Sequence, residues 1–85
     1  MNVYEFNGVC LCPADNLPDS YSVRLESRRM LWTNLIGDAV AELAERKMSQ
    51  EQYTHELHRK LQCRVTTVGS HPSFTDGTKL SLIHI

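Results

Sequence analysis

The sequence predicts an α+β domain in which an antiparallel sheet carries two helices on one of its faces. A hairpin is indicated first. Residues 3–11 are rich in Val, Tyr, Phe and Leu, and Tyr21, Val23 and Leu25 then alternate with polar residues as in a half-buried strand. Helical spacing of apolar residues follows, and a strand pattern returns at Val65. The resulting order, strand–strand–helix–helix–strand–strand, favours two helices packed on the same face.

The first hairpin has two irregular points. Asn7-Gly8 interrupts the first strand and predicts a tight turn or a bulge there. Residues 14–18 form the connecting loop. A four-stranded sheet of this kind has two open edges, and proteins usually pair or cover such edges, so we expect a homo-oligomer.

The first helix is predicted over about residues 28–47, with Ser27 as its N-cap. Gly37 weakens a helix interior by about 1 kcal/mol relative to Ala, which suggests close packing at this position. Trp32 and Phe6 are expected in the core. The apolar stripe of this helix comprises Leu31, Leu35 and Ala39, flanked by Trp32, Ile36, Val40 and Leu43.

The second helix has a stronger start signal. Ser49 and Gln52 have the spacing of a capping box, and Met48 can pack on Tyr53 as a hydrophobic staple. The predicted buried stripe comprises Tyr53, Leu57 and Leu61.

The C-terminal part is predicted to hold a third strand that begins at Val65, a polar loop over residues 69–77 and a fourth strand over 78–85. Residues 80–85 resemble the translation of a transposon-end sequence used to prepare sequencing libraries. We therefore expect one domain over residues 1–79, truncated at its C-terminus, followed by a non-native tail. The alternative is a natural strand, because apolar residues alternate through this segment.

Composition narrows the classes of function. The chain has 85 residues, a formal charge of −1 and 22% charged residues. It therefore lacks the excess of basic residues that is typical of nucleic-acid-binding proteins. No apolar run approaches the length of a membrane span, and the first residues lack the features of a secretory signal. Three cysteines without an export signal indicate reduced thiols, which favours the cytoplasm.

The segment from Cys12 to Asp19 is the strongest candidate for chemistry. It places a thiol at the end of a predicted strand and a carboxylate seven residues later, with Pro13 and Pro18 between them. A nucleophilic thiol and a proton donor on a rigid turn suit covalent chemistry at a C=N or C=O centre. A purely structural, proline-stiffened hairpin turn has the same pattern.

Metal binding has weaker support. Cys10, Cys12, Cys63 and His58 are candidate zinc ligands, but they lack the paired short spacings of standard zinc sites, so no metal is expected. Positions 55–58 read His-Glu-Leu-His, which departs from the metalloprotease spacing His-Glu-x-x-His. Buried structural thiols and a solvated helix face are the alternative interpretation.

The element order and the turn from Cys12 to Asp19 together resemble the tunnelling fold, or T-fold. This family includes GTP cyclohydrolases, pyruvoyltetrahydropterin synthases and the nitrile reductases of the queuosine pathway. The resemblance implies units that join side by side into a barrel and bind purine- or pterin-like ligands between subunits.

Within this family the nitrile reductases are most similar. Their signature Cys-Pro-x-x-x-x-Pro-Asp is matched by Cys12, Pro13, Pro18 and Asp19, and a Glu-Phe pair lies upstream, two residues farther from the thiol than in the family. The resemblance implies that Cys12 forms a thioimide with a nitrile and that Asp19 delivers a proton.

The resemblance also implies binding residues. The family's NADPH motif begins Glu-Ser-Lys, and Glu26, Ser27 and Arg28 occupy the corresponding positions here. A His-Glu pair, whose Glu anchors the base in the family, corresponds to His55 and Glu56. These residues are the expected cofactor-binding and substrate-binding groups.

Two departures qualify the match. The gap from Asp19 to Glu26 is shorter than in the reductases, and Leu31 stands where a basic residue is expected. The main hypothesis is an enzyme that acts on a purine- or pterin-type heterocycle through Cys12, as an NADPH-dependent nitrile reductase does. The alternatives are a small non-enzymatic interaction protein, borne by a mobile element, and a zinc-dependent cyclohydrolase-like T-fold protein.

Overall fold

The described residues of the computed structural model, 1–73 and 77–85, form four strands and two helices. For residues 70–73 and 77–81 the description covers the backbone alone. The antiparallel sheet has the order β1-β2-β3-β4, which confirms the predicted fold class. In chain order the elements are β1 (Asn2–Leu11), β2 (Pro18–Ser27), α1 (Thr33–Ala44), α2 (Gln50–Leu61), β3 (Arg64–Ser73) and β4 (Gly77–His84).

The prediction of a polar loop over residues 69–77 is wrong for most of that segment. Residues 69–73 continue β3, and β4 begins at Gly77, with Ser73 paired to Gly77 across the strands. Residues 74–76 lie outside the described part of the chain. Pairing with β4 outweighs the polar, proline-containing composition that made this segment read as a loop.

The core lies between the sheet and the helices. Alternate residues of β2 point to this side, and Tyr21, Val23 and Leu25 are buried there, as predicted. α1 contacts β1, α2 contacts β3, and the two helices contact each other. Leu31 and Leu57 join this core, but Leu35 is 41% exposed, so its predicted core position is wrong.

α1 is shorter than predicted. It begins at Thr33 after an N-cap at Trp32, whose side chain makes no capping hydrogen bond. Ser27 does not cap the helix, because it is the buried last residue of β2. Trp32 is 70% exposed, so its predicted core position is wrong. Phe6 is partly buried and packs against the core.

Hydrogen bonds to distant residues explain the late start of α1. The Leu31 amide donates to the Tyr4 hydroxyl at 2.8 Å, and the Arg29 guanidinium donates to the Leu61 carbonyl at 2.8 Å. These contacts hold the segment between β2 and α1 outside the helix. Since the buried face of α1 is then set by Ile36, Ala39 and Leu43, Leu35 falls beside it.

α2 begins where its capping box predicted. The Ser49 hydroxyl accepts from the Gln52 amide, and the Gln52 side chain accepts from the Ser49 amide, so the capping box is present. Tyr53, Leu57 and Leu61 are fully buried, as predicted. No helix in the described ranges is long and apolar enough to cross a membrane.

Asn7-Gly8 forms neither a turn nor a bulge. β1 runs through both residues in regular register, with Asn7 opposite Ser22 and Gly8 opposite Tyr21. A side chain at Gly8 would overlap the Tyr53 hydroxyl. The glycine therefore allows α2 to approach the sheet closely.

Gly8→Ala is expected to destabilise the domain by about 1–3 kcal/mol, because the added methyl displaces Tyr53 from a packed position. Gly37→Ala is the matched control. No described atom beyond the local backbone of α1 lies within 4 Å of a Cβ at Gly37, so alanine there should stabilise α1 by up to about 1 kcal/mol, contrary to the close packing predicted for Gly37. Urea unfolding measures both changes, and equal effects at the two positions would contradict this interpretation.

Candidate functional site

The loop between β1 and β2 holds Cys12 at the end of the first strand. The Cys12 amide donates to the Leu17 carbonyl at 2.8 Å, and the Asn16 amide donates to the Cys12 carbonyl at 2.9 Å. Asn16 adopts the left-handed conformation, with φ 64°, which asparagine tolerates better than most residues. Asp15 Oδ1 accepts from the Leu17 amide at 3.0 Å. The loop is therefore closed by its own backbone and by a local side chain.

Cys12 and Asp19 line one cleft. Asp19 is opposite Cys10 in the strand register, and Cys12 lies two residues beyond Cys10, so all three belong to the helix-bearing side of the sheet. Cys12 and Asp19 are both half-buried, which leaves them accessible from the cleft. The cleft has a volume of about 580 Å³ and is lined by Cys12, Pro13, Ala14, Asp19, Ser49, Gln50 and Glu51.

The N-terminus of α2 forms the opposite wall of this cleft. The Leu11 amide donates to the Arg46 carbonyl and the Met48 amide donates to the Leu11 carbonyl, both at 3.0 Å. Leu11 and Lys47 thereby form a parallel bridge. The connection between the helices is thus fastened to the residue that precedes Cys12.

A buried polar network fixes the same wall to β3. Gln50 Nε2 donates to both the carbonyl and the hydroxyl oxygen of Thr67 at 3.2 Å, and the Thr54 and Thr67 hydroxyls are 2.6 Å apart. All three residues are buried. Sequence reasoning missed Gln50, because a glutamine in the first turn of a helix is ordinarily solvated and only its distant partners bury it.

The three cysteines occupy different environments. Cys10 is fully buried, with its sulfur 3.8 Å from the Tyr21 hydroxyl and 3.5 Å from the Met48 carbonyl, and burial raises the pKa of its thiol. Burial also raises the pKa of Cys63. Cys12 is half-buried and lines the cleft, so it is the most accessible of the three thiols.

The candidate zinc ligands do not converge. His58 Nδ1 is 2.7 Å from the Cys63 carbonyl oxygen, whereas the Cys10 thiol contacts Tyr21 and Met48. Among residues 1–73 and 77–85, no group of three or more His, Cys, Asp and Glu side chains is arranged to hold a metal ion.

Glu26, Ser27 and Arg28 line a second cleft at the other end of β2. Asp19 and Glu26 are seven residues apart on this strand, which corresponds to ~23 Å, so one chain does not unite the two clefts. The second cleft has a volume of about 530 Å³, and its lining comprises Met1, Glu26, Ser27, Arg28, Arg29, Gln62, Cys63 and Arg64.

His55 and Glu56 lie on α2, outside the Cys12 cleft. His55 is exposed. Glu56 accepts two hydrogen bonds from Arg59, at 2.7 and 3.0 Å, and this contact holds the pKa of the Glu56 carboxyl below its usual value. Both residues line a smaller cleft of about 270 Å³ beside the connection between the helices.

Structural comparison finds a similar protein of known structure. The crystal structure of the archaeosine synthase QueF-like in its apo form superposes with a TM-score of 0.66 at 12% sequence identity. The match covers 98% of this chain and 90% of that chain. No family model matches the sequence, and no curated protein does. Since the match extends over both hairpins and both helices, the chain shares the T-fold of that synthase.

Proposed function

We propose that this chain is a T-fold enzyme that binds a purine- or pterin-type heterocycle and forms a thioimide between Cys12 and a nitrile carbon. The observation that carries the proposal is that the accessible Cys12 and the carboxylate residue Asp19 line the same cleft. Its volume of about 580 Å³ suits a flat bicyclic ligand.

The proposed covalent step balances within the cleft. The sulfur of Cys12 attacks the nitrile carbon, and one π bond of the C≡N group breaks as the S–C bond forms. Asp19 takes the thiol proton and delivers it to the nitrile nitrogen. The product is a neutral thioimide, and no other reactant is needed for this step.

Reduction beyond the thioimide requires NADPH, which supplies hydride when it is bound. The residues for it are Glu26, Ser27 and Arg28, by the resemblance to the reductases. The donor set fits such a group, because a guanidinium and a hydroxyl at a cleft suit the phosphates of a dinucleotide. The proposed role of these three residues is to bind the cofactor, and they take no part in the covalent step at Cys12.

A homo-oligomer completes the proposed site. The two clefts lie at opposite ends of β2, and His55 and Glu56 face a third region. Among the described strands β1 pairs only with β2 and β4 only with β3, and apart from the bridge from Leu11 to Lys47 the outer edge of β1 is unpaired in the described residues. Pairing of these edges between copies offers a way to bring the second cleft, or His55 and Glu56, of one copy to the Cys12 cleft of another.

Incubation of the protein with a nitrile-bearing deazapurine is expected to add the full mass of the nitrile, because addition expels no leaving group. Cys12→Ala should abolish the adduct, while the matched control Cys63→Ala should retain it. Asp19→Asn should slow its formation by about 10²-fold or more, since the proton relay is lost. Intact-protein mass spectrometry measures the adduct, and circular dichroism verifies folding.

The proposal fails if the adduct persists in Cys12→Ala. It also fails if Cys12 of the wild type is alkylated by iodoacetamide only on unfolding, as the buried Cys10 should be.

A non-enzymatic interaction protein is the second candidate function. The observation that favours it is an exposed apolar group at the start of α1: Met30 is 67% exposed, Trp32 70% and Leu35 41%. Clustered exposed apolar side chains mark interaction surfaces. If Cys12 does not react with the nitrile, this function replaces the enzyme as the first candidate.

A further inference from the structure

Two histidines of α2 line a cleft of their own towards the end of that helix. His55 and His58 are three residues apart, which places them on the same side of the helix. Their ring centroids are 6.3 Å apart, and the ring planes are tilted by 34°. The cleft has a volume of about 410 Å³ and is lined by His55, His58, Arg59 and Gln62. Two imidazole groups therefore border the same small space.

The hydrogen bond of His58 determines which of its ring nitrogens carries a lone pair. His58 Nδ1 lies 2.7 Å from the Cys63 carbonyl oxygen. A carbonyl oxygen can only accept, so Nδ1 carries the proton and the neutral ring keeps the lone pair of Nε2. A histidine that ligates a metal ion typically donates its other ring N–H to such a carbonyl, which orients the ring and raises its basicity. His58 thus has the tautomer and the supporting hydrogen bond of a metal ligand.

The basic residues next to the pair have carboxylate partners. The Arg59 guanidinium donates to Glu56 Oε2 at 2.7 and 3.0 Å, and Lys60 Nζ donates to Glu42 Oε2 at 2.6 Å. His58 is in the last turn of α2, where the carbonyl ends of the helix favour a cation. The surroundings therefore oppose a bound cation less than the sequence Arg59-Lys60 suggests.

We infer that His55 and His58 together bind one divalent transition-metal ion through imidazole nitrogens, with water at the remaining coordination positions. Imidazole suits Zn²⁺, Ni²⁺ and Cu²⁺, whereas Mg²⁺ prefers oxygen ligands. With metal–nitrogen bonds of about 2 Å, two rings that share an ion have centroids roughly 5 to 6 Å apart. His55 is exposed, so a rotation of its side chain covers the small difference from the observed distance.

This site depends on the contact between His58 and Cys63, which the spacing of the histidines does not reveal. It is independent of the Cys12 chemistry and of the assignment of the second cleft to a cofactor.

Titration calorimetry of the untagged full chain with Ni²⁺ tests the inference. One Ni²⁺ ion should bind per chain, and Mg²⁺ should not bind at the pair. His55→Gln and His58→Asn should each weaken Ni²⁺ binding about tenfold or more, because loss of a ligand should cost at least as much as loss of a group that orients one. Asparagine at position 58 keeps an N–H donor near the place of Nδ1 and lacks Nε2, so the bond to Cys63 is retained.

His84→Gln is the matched control. His84 is an exposed histidine whose Nδ1 lies 2.6 Å from the Thr66 hydroxyl oxygen, outside this cleft, so its loss should leave Ni²⁺ affinity unchanged. Cys12→Ala should also bind Ni²⁺ as the wild type does, which separates this site from the accessible thiol. Circular dichroism verifies that each variant is folded.

Nitrogen NMR spectra of the histidine side chains give a second readout. Before metal is added, His58 should carry its proton on Nδ1, and Zn²⁺ should then shift the ring nitrogens of His55 and His58 but not those of His84. Absence of Ni²⁺ binding, undiminished binding in His55→Gln, or an equal loss in His84→Gln would overturn the inference. A proton on Nε2 of His58, or loss of Ni²⁺ binding in Cys12→Ala, would contradict it as well.

Discussion

Replacing Leu57 by alanine is expected to destabilise the domain by about 2–5 kcal/mol. Leu57 is fully buried on the inner face of α2, so its removal leaves a cavity in the core as well as losing buried apolar surface. A chain of 85 residues has a total stability on the order of 4–13 kcal/mol, so this single change removes a large share of it. Urea unfolding followed by circular dichroism measures the loss as a lower midpoint at an unchanged slope.

Leu35→Ala is the matched control for Leu57→Ala. Both residues are helical leucines, but Leu35 is 41% exposed, so its truncation should cost less than about 1 kcal/mol. Equal costs at the two positions would mean that Leu35 belongs to the core, as its helical spacing had predicted.

The contrast between the two helices shows which features of the fold were predictable. The start and the buried face of α2 were predicted, because the capping box at Ser49 and Gln52 and the apolar stripe are local signals. The start of α1 was predicted wrongly, because bonds from Leu31 to Tyr4 and from Arg29 to Leu61 span about thirty residues. Such contacts leave no trace in local periodicity.

The site shows the same division. The position of Cys12 and Asp19 at one cleft follows from a hairpin whose register is implied by alternation in the strands and by the turn residues. The wall of the cleft was not predictable. It depends on the bridge from Leu11 to Lys47 and on the bonds between Gln50 and Thr67, which bring together separate parts of the chain.

Gathering of the arginines at the second cleft was also not predictable as a whole. Arg28 and Arg29 are neighbours in sequence, but Arg64 reaches them only because β3 pairs with β2, with Arg64 opposite Glu26. The sequence alone places two of these arginines together, and the strand register adds the third.

Raising the pH through 10 to 12 is expected to destabilise the domain by roughly 2–3 kcal/mol through Tyr53 alone. Burial raises the pKa of Tyr53 to about 12, and it raises the pKa of Tyr21 as well. In the unfolded chain a tyrosine releases its proton near pH 10. Between these values the native state holds a proton that the unfolded state has lost. The stability from the neutral ring is therefore complete below pH 10 and declines as the pH rises through 12.

Tyr53→Phe separates this effect from that of the other buried groups. The Tyr53 hydroxyl is buried and makes at most a weak hydrogen bond, to the backbone of Val9, so its removal should change stability at pH 7 by no more than about 1 kcal/mol. Cys10 and Tyr21 still titrate in the variant and lower stability in the same direction. The free energy of unfolding, measured from pH 8 to 12, should therefore fall less steeply in Tyr53→Phe than in the wild type. Parallel curves would show that Tyr53 ionises in the native state as readily as in the unfolded chain, and would contradict its placement against Gly8 in the core.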